Sequence, residues 1–249
     1  MKNFLLATCF ILSATCIKAQ ELTVFSENDK YGFKDETGKV VIAAKYDYAL
    51  AFSDQGFAYV KKNGKVGYVD KTGKEIVPVI YESVGFYADL GVFKVVQGGK
   101  YGFVDLQGKM LTAPKYDDMA FCAKGYYKVK LNNKYGIIGK GAKLCVPVKY
   151  DAVWSFSESP VPVSLNNKTG FVDINTGKVV IPFNYDFAVG FQNGLAVAKL
   201  NNKWGYIDIS GKVIIPFQYA NAGSFYSWKA EVELGGRKFY IDKTGKEVL

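Results

Sequence analysis

Histidine is absent from all 249 residues of the sequence. Its absence excludes a Ser–His–Asp triad, a Cys–His pair, a histidine-ligated metal and the usual general base near neutral pH. Any enzymatic chemistry would therefore rest on Asp, Glu, Lys or Tyr alone. No nucleophile–base pair, phosphate loop or metal cluster built from these residue types stands out, so we predict a protein that is not an enzyme and has neither metal nor cofactor.

Arginine is almost absent as well. Arg237 is the only arginine among 32 basic residues, and lysine supplies the rest of a formal charge of +9. Specific nucleic-acid readers depend on arginine for bidentate contacts to guanine and phosphate. The basic composition therefore gives little support for DNA or RNA as a specific partner.

Long hydrophobic runs are confined to the N-terminus. A basic start precedes an apolar run at Phe4–Ile17, and Ala19 offers a small residue for cleavage. This pattern predicts a secretory signal peptide over residues 1–19, an exported mature chain over 20–249, and no transmembrane segment after signal removal. Lipid attachment is disfavoured, because Cys9 and Cys16 each follow a threonine where a small residue is needed.

Cysteine is scarce, with Cys122 and Cys145 remaining after the predicted signal peptide. Cys122 occupies a position held by phenylalanine in other repeats, and Cys145 one held by isoleucine or valine. This favours two core residues. A disulfide between them stays open, because an exported chain meets oxidising conditions.

The most frequent feature of the sequence is one repeated motif. NNKWGYID at 201–208 returns as NGKVGYVD at 63–70, GGKYGFVD at 98–105 and NDKYGFKD at 28–35. Alignment gives seven units of 34 or 35 residues. The two residues before the basic position are Asn, Asp or Gly in every unit, and all of these tolerate positive φ. A two-residue type I′ hairpin turn requires this.

Each hairpin is followed by a second turn. In the sixth unit the predicted strands are Leu195–Leu200, Lys203–Asp208 and Lys212–Phe217, with the turn Asp208–Gly211 before the third. Aspartate at the first position and glycine at the last are typical of such a turn. Each unit is therefore predicted to be a three-stranded β-meander, joined to the next by a connection such as 185–191.

The pattern K-W/Y-G-Y/F-V/I-D, then G-K, then V-I-P-x-x-Y-D, resembles the WG-repeat (KWG-repeat) family of bacterial proteins. It spans nearly the whole mature chain, although a literal Trp-Gly occurs only at Trp204-Gly205. The resemblance implies an all-β tandem repeat of exported or surface proteins with no established common chemistry.

The terminal units indicate an open, solenoid-like stack rather than a closed propeller. Interior hairpins are apolar on both faces, which requires cover from a neighbour on each side. The first unit has one polar face, carrying Thr23, Glu27 and Lys30. The last unit has its polar face on the opposite side, carrying Glu231 and Lys238. Polar end caps are typical of an open array.

Several repeated residues have a structural interpretation. The mid-strand glycines are expected to face an aromatic ring of the adjacent unit; they are Gly32, Gly67, Gly102, Gly136, Gly170 and Gly205. The aspartates of the D-x-x-G turns are predicted to cap those turns, because the acidic partners of a calcium loop are missing. They are Asp35, Asp70, Asp105, Asp173, Asp208 and Asp242.

Two basic rows are candidate contacts for an acidic polymer. The first is Lys30, Lys65, Lys100, Lys134, Lys168, Lys203 and Arg237. The second is Lys39, Lys74, Lys109, Lys143, Lys178, Lys212 and Lys246. The alternative is that these lysines keep strand edges soluble.

The candidate ligand-binding residues are two tryptophans that depart from the repeat. Trp154 stands where other units have small or aliphatic residues, and Trp228 stands in a connection otherwise made of glycine or small polar residues. Both are interpreted as binding anchors or as residues that fill gaps between units. The sequence thus predicts a non-catalytic scaffold that binds an envelope or extracellular protein. The alternative is a lectin-like protein that holds anionic glycans through Trp154, Trp228 and the lysine rows.

Overall fold

The structure is a computed structural model that describes residues 21–249, so the predicted signal peptide lies outside the described residues. Residues 21–249 form seven antiparallel β-sheets in tandem, without an α-helix. In each sheet the strands follow one another in chain order, so every sheet is a meander. The predictions of an all-β chain and of seven repeated units are confirmed.

The strands of each sheet have the following bounds. The first sheet contains β1 (Thr23–Glu27), β2 (Lys30–Lys34) and β3 (Val40–Tyr46). The second contains β4 (Tyr48–Ala49), β5 (Phe57–Lys62), β6 (Lys65–Asp70) and β7 (Glu75–Tyr81). The third contains β8 (Ser83–Tyr87), β9 (Val92–Gln97), β10 (Lys100–Asp105) and β11 (Met110–Tyr116). The fourth contains β12 (Asp118–Ala123), β13 (Tyr126–Leu131), β14 (Lys134–Gly139) and β15 (Lys143–Tyr150), with a 3₁₀ turn at Lys140–Ala142.

The remaining three sheets repeat the same plan. The fifth contains β16 (Ala152–Val153), β17 (Val161–Leu165), β18 (Lys168–Val172) and β19 (Val179–Tyr185). The sixth contains β20 (Phe187–Ala188), β21 (Leu195–Leu200), β22 (Lys203–Asp208) and β23 (Val213–Tyr219). The seventh contains β24 (Asn221–Ala222), β25 (Lys229–Leu234), β26 (Arg237–Asp242) and β27 (Glu247–Val248).

Six of the seven sheets carry a fourth strand that was predicted to be a connection. In the second sheet, Tyr48 pairs with Lys61 and Ala49 with Val60. The segment leaves the preceding sheet directly and runs beside the next hairpin, where its backbone N–H and C=O groups find partners. The repeat is therefore a four-stranded sheet, except in the first unit, which has three strands.

Both predicted turn types are present. All fourteen residues of the seven hairpin turns have φ between 48° and 79°, as a type I′ turn requires. In five of the six capped turns the aspartate Oδ1 accepts the backbone N–H four residues later, at 3.0 Å from Lys39 in the first unit and 3.1 Å from Lys246 in the last. Asp173, whose turn is one residue longer, accepts the Thr176 N–H at 2.8 Å. The turn-capping interpretation of these aspartates is confirmed.

The core lies between consecutive sheets. Six clusters of buried residues are present, and each one joins one sheet to the next. Between the fifth and sixth sheets, for example, Phe171 and Ile181 pack with Ala196, Ala198 and Ile207. Among residues 21–249, none of these clusters joins the first sheet to the seventh. Thr23, Glu27 and Lys30 at one end, and Glu231 and Lys238 at the other, are exposed as expected.

The expectation for the mid-strand glycines was wrong. A Cβ on Gly67 would lie 2.4 Å from the carbonyl oxygen of Val77, in the next strand of the same sheet. The cause is a β-bulge, because Val66 pairs with Tyr81 and Tyr68 with Val77, so that Gly67 faces three residues. The glycine thus accommodates its own sheet's backbone and not a ring from the adjacent unit.

Candidate functional site

Trp228 lies in a tight turn at the start of the seventh sheet. Ser227 and Trp228 form the two central residues, with backbone hydrogen bonds in both directions between Tyr226 and Lys229. Ser227 takes a φ of 59°. Most other units place glycine at the Trp228 position, so an indole is added at a site where the template has no side chain. Trp228 is 53% exposed.

Around Trp228 the chain forms a shallow cleft lined by aromatic rings. Tyr226 is 89% exposed and Tyr240 is 40% exposed. The Lys229 ammonium lies 5.4 Å from the centre of the Trp228 ring and 4.3 Å from that of Tyr240. The cleft has a volume of about 510 Å³ and also includes Glu231. Flat rings beside one cation and one carboxylate can stack against a planar or ring-shaped ligand group and hydrogen-bond its edge.

Tyr226 and Tyr240 were missed by the sequence interpretation. Tyr226, like Trp228, departs from the repeat, because the sixth unit has Gln192 at the same position. This departure could have identified it. Tyr240 occupies an ordinary strand position, and among residues 21–249 none of the six buried clusters includes it. Its part in the cleft could not be predicted without the fold.

Trp154 is placed differently. It follows β16 in the fifth sheet and is 40% exposed. Its ring packs edge-to-face on Phe187 of the sixth sheet, with the ring centres 5.3 Å apart. Its indole N–H donates a hydrogen bond of 3.1 Å to the Ser164 hydroxyl, which lies 3.2 Å from the hydroxyl of the buried Thr169.

These contacts explain why the fifth unit has a tryptophan here. Thr169 occupies the position that Trp204 fills in the sixth unit and that tyrosine fills in three others. Where the template aromatic is missing, Trp154 hydrogen-bonds to Ser164, which pairs with Thr169 across the hairpin. Its ring also packs on the next sheet. Trp154 and Trp228 lie two sheets apart with separate contact partners, so the structure does not bring the two predicted anchors together.

The first basic row is largely paired with carboxylates. Lys30 contacts Asp47 at 2.6 Å and Lys168 contacts Asp186 at 2.6 Å. The same pairing occurs at Lys100 with Asp117, Lys134 with Asp151 and Arg237 with Glu247. The Lys30 ammonium and the Asn63 N–H hold the pKa of Asp47 below its ordinary value. This row therefore offers much less free charge than the sequence indicated.

The second basic row remains exposed. Its members follow the second turn of each unit, and within residues 21–249 none of them forms an ion pair with a carboxylate. The turn aspartates use their oxygens for local donors. In the last unit the Thr244 hydroxyl, at 2.6 Å, lowers the pKa of Asp242. The second row is thus available to an anionic partner along its whole length.

The cysteines are both free thiols in the core between the fourth and fifth sheets. Burial raises the pKa of the Cys122 thiol to about 11, and burial also raises the pKa of Cys145. Since the thiolate is the reactive form, neither residue is placed as a nucleophile or a metal ligand. Over the described part of the chain, no group of three Cys, Asp or Glu side chains is arranged to hold a metal ion.

No helix within residues 21–249 has the length and apolar character needed to cross a membrane.

Six segments of the sequence match the family model described as "WG containing repeat". The matched residues are 31–65, 67–101, 101–135, 135–168, 170–204 and 204–237. No curated protein matches the sequence.

Among solved structures, the chain is similar to AztD from Citrobacter koseri, at 12% identity over 92% of this chain and 78% of that one, with a TM-score of 0.39. It is also similar to Hsv2 from Kluyveromyces lactis, at 11% identity over 79% and 74%, with a TM-score of 0.37. A structure titled "eukaryotic initiation factor" matches at 10% identity over 92% and 73%, with a TM-score of 0.35.

Proposed function

The chain belongs to the family of proteins built from WG repeats, and on that premise we propose that it is a non-catalytic, exported scaffold that binds another protein. The observation that carries the proposal is the aromatic cleft of the seventh sheet. Tyr226, Trp228 and Tyr240 expose their rings in one place, and such residues supply most of the binding energy in protein interfaces. The rest of the array holds this surface rigidly, through a core shared by consecutive sheets.

The lack of a catalytic role is supported by how the charged groups are used. The carboxylates whose pKa is lowered owe this to donors in turns, as Asp208 does to the Ser210 hydroxyl, or to a lysine or arginine of the first basic row, as Glu247 does to Arg237. The raised pKa values of the buried thiols keep them protonated. In the described residues each perturbed carboxylate thus has a structural partner that accounts for it.

The array is proposed to be open, with the first and seventh sheets as its two ends. The support is the exposure of polar residues on opposite faces of these two sheets, where a closed ring would require apolar surfaces to meet. Spin labels at Thr23→Cys and Glu231→Cys, in a chain with its other cysteines replaced, would measure the separation. A distance near the ~10 Å spacing of packed sheets would contradict the open form.

Export is proposed from the signal peptide predicted at residues 1–19. Mass spectrometry of protein recovered from the envelope or the medium should find an N-terminus near Ala19. Recovery of the uncut chain in those fractions would contradict the proposal.

Partner binding is tested by cross-linking from the cleft. A photo-reactive residue at Tyr226 should capture one defined protein in cells, and Trp228→Ala should abolish the capture. Phe121, which is 62% exposed outside the cleft, provides the matched control position. Equal capture from position 121, or capture unaffected by Trp228→Ala, would contradict a role for the cleft.

A lectin-like function is the second candidate, and the exposed second lysine row together with Lys229 in the cleft favours it. An anionic glycan would stack on the aromatic rings and gain a salt-sensitive attraction from the lysines. A glycan array at two salt concentrations, with Trp228→Ala and Trp154→Ala as variants, separates the candidates. Salt-dependent binding that Trp228→Ala removes without unfolding the protein would favour the lectin; no glycan bound, with a protein captured, would favour the scaffold.

A further inference from the structure

At each of five junctions between consecutive sheets, one acidic residue forms hydrogen bonds across the junction. It follows the buried tyrosine that ends the last strand of a sheet, and its carboxylate accepts from the next hairpin turn. In four of the five it also contacts a lysine of the preceding sheet. Asp47, for example, accepts a hydrogen bond of 2.6 Å from the Lys30 Nζ of the first sheet and one of 2.6 Å from the Asn63 N–H in the next hairpin turn. The other junction carboxylates are Glu82, Asp117, Asp151 and Asp186.

The donors on the turn side belong to the type I′ turn itself. In a two-residue hairpin turn the central N–H groups point away from the ladder, so they have no strand partner. At Glu82 the carboxylate takes both of them, from Gly98 at 2.9 Å and Gly99 at 3.2 Å. A lysine and one or two turn N–H groups thus form a carboxylate site that the chain fills with its own side chain.

At the sixth junction the acidic residue is replaced by Ala220. The backbone keeps the same arrangement, since the Ala220 N–H bonds to the Glu233 carbonyl oxygen at 2.8 Å, just as the Asp186 N–H bonds to that of Lys199 at 2.9 Å. The turn residues Gly235 and Gly236 retain φ values of 59° and 79°.

The donors of this junction are therefore present without their acceptor. Lys203 occupies the lysine position, and within the described residues its Nζ has no hydrogen bond or ion pair. The same holds there for the N–H groups of Gly235 and Gly236. Ala220, Lys203 and both glycines are exposed, so a ligand can reach them from solvent.

The charges around the donors decide whether an anion is favoured. Arg237 is occupied by Glu247, with contacts of 2.7 Å from both guanidinium nitrogens. Glu233 stands where the second and fourth sheets have Lys61 and Lys130, and it opposes an anion. Those two lysines lower the pKa of Asp47 and Asp117 less than the direct hydrogen bonds do. The direct donors of the sixth junction, Lys203 and the two turn N–H groups, are of the same kind as those of the filled junctions.

We propose that Lys203 and the Gly235–Gly236 turn bind the carboxylate of an aspartate or glutamate side chain from a partner polypeptide. The chemistry follows from the five filled junctions. At four of them the carboxylate lies between one ammonium and one hairpin turn. At Glu82 the two turn N–H groups hold it, and Lys65 acts only through its charge. An acidic side chain on an extended partner segment reproduces this arrangement. The proposal rests on the proposed scaffold function for the nature of the partner, and it names the chemistry by which that partner is recognised.

The test uses the ¹⁵N-labelled full chain and follows the amide resonances of Gly235 and Gly236. The probe is glutamate blocked as N-acetyl-glutamate N-methylamide, with the glutamine analogue as a neutral control, at constant ionic strength. We expect saturable shifts with the glutamate probe only. Ala220→Asp should remove them, because the built-in carboxylate then occupies the donors.

A gain-of-binding variant provides the matched control. Asp186→Ala exposes the equivalent donors, Lys168 and the Asn201–Asn202 turn, so the glutamate probe should now shift Asn201 and Asn202. Glu233→Lys should tighten binding at the sixth junction by removing the opposing charge.

Three results would overturn the proposal. They are equal shifts with both probes, shifts unchanged in Ala220→Asp, and a response that appears only in Glu233→Lys. Inorganic phosphate in place of the probe should shift the two glycines more weakly; a stronger shift would assign the site to phosphate. Because these measurements require no partner, failure of this proposal can be distinguished from failure of the scaffold function, which the cross-linking experiment on the aromatic cleft tests.

Discussion

Substitution of Gly67 by alanine should destabilise the second sheet strongly. The added Cβ would lie 2.4 Å from the Val77 carbonyl oxygen and 2.9 Å from the Pro78 carbonyl carbon and oxygen. Ordinary contacts begin near 3.4 Å, so the two strands must separate by about 1 Å. All three atoms are backbone, and no side-chain rotation can relieve the overlap.

The magnitude follows from the cost of overpacking. Insertion of one methyl group into a packed site costs about 1–3 kcal/mol, and a backbone clash lies at the upper end. About 3 kcal/mol in a chain of this size corresponds to a fall in Tm of roughly 6–12 °C. Thermal unfolding followed by circular dichroism measures the change. Hydrogen exchange should show the loss of protection concentrated in β7.

Gly85→Ala is the matched control. Gly85 also lies within a strand, but its added Cβ would meet only a ring carbon of Tyr87, at 3.6 Å. We expect a change within about 1 kcal/mol, in either direction, because alanine also restricts the unfolded chain. If Gly67→Ala and Gly85→Ala have equal effects, the bulge does not explain the repeated glycine.

Three further predictions concern the tryptophans, the buried thiol and the junction carboxylates. Trp154→Ala should lower the free energy of unfolding by about 1–3 kcal/mol, because packing on Phe187 and one hydrogen bond are lost. Trp228→Ala should change it by under about 0.5 kcal/mol. Denaturant titration compares the two, and equal losses would contradict a structural role for Trp154 alone. The Cys122 thiol, with its pKa raised to about 11, should resist a thiol reagent at pH 8 until the chain unfolds; rapid labelling of the folded chain would contradict this. The pKa of Asp117 is lowered by Lys100, so its contribution to stability is present above the unfolded pKa of about 3.9 and is lost as pH falls through the lower, folded value. Tm should therefore be steady between pH 7 and 5 and fall below about pH 4, with a smaller fall in Asp117→Asn; an unchanged acid profile in that variant would exclude this residue as a cause.

The turns were predictable from the sequence because each depends on local chemistry. Asn, Asp and Gly at both hairpin positions tolerate positive φ, and this constraint acts within four residues. The period of the turns then fixed the number of sheets. The fourth strand was not predictable in the same way. Four of the six, such as Tyr48–Ala49, are only two residues long, and a strand of that length forms only when a neighbouring edge is available.

The glycine error has a similar origin. A mid-strand glycine indicates a close approach, but the sequence does not say from where. The bulge opposite Gly67 becomes visible only through the register of β6 and β7. Likewise, the aromatic cleft combines Trp228 and Tyr226, which break the repeat, with Tyr240, which occupies an ordinary strand position. Residues that depart from the repeat pattern can be identified in the sequence. The exposure of a side chain depends on how the sheets pack.

The departures themselves fall into two physical classes. At Thr169 the loss of an aromatic is accompanied by Trp154, whose N–H bonds to Ser164 opposite Thr169 and whose ring packs on Phe187. The two changes thus compensate each other. At Ala220 the loss of a carboxylate has no such match, and Lys203 with the Gly235–Gly236 turn keeps its donors. Trp228 likewise adds a ring without the loss of an aromatic residue at a neighbouring position. A compensated change preserves the packing that every unit needs. An uncompensated change leaves exposed rings or hydrogen-bond donors that have no partner within the fold. Both uncompensated changes involve the seventh sheet, and for this reason we expect partner contacts to concentrate there.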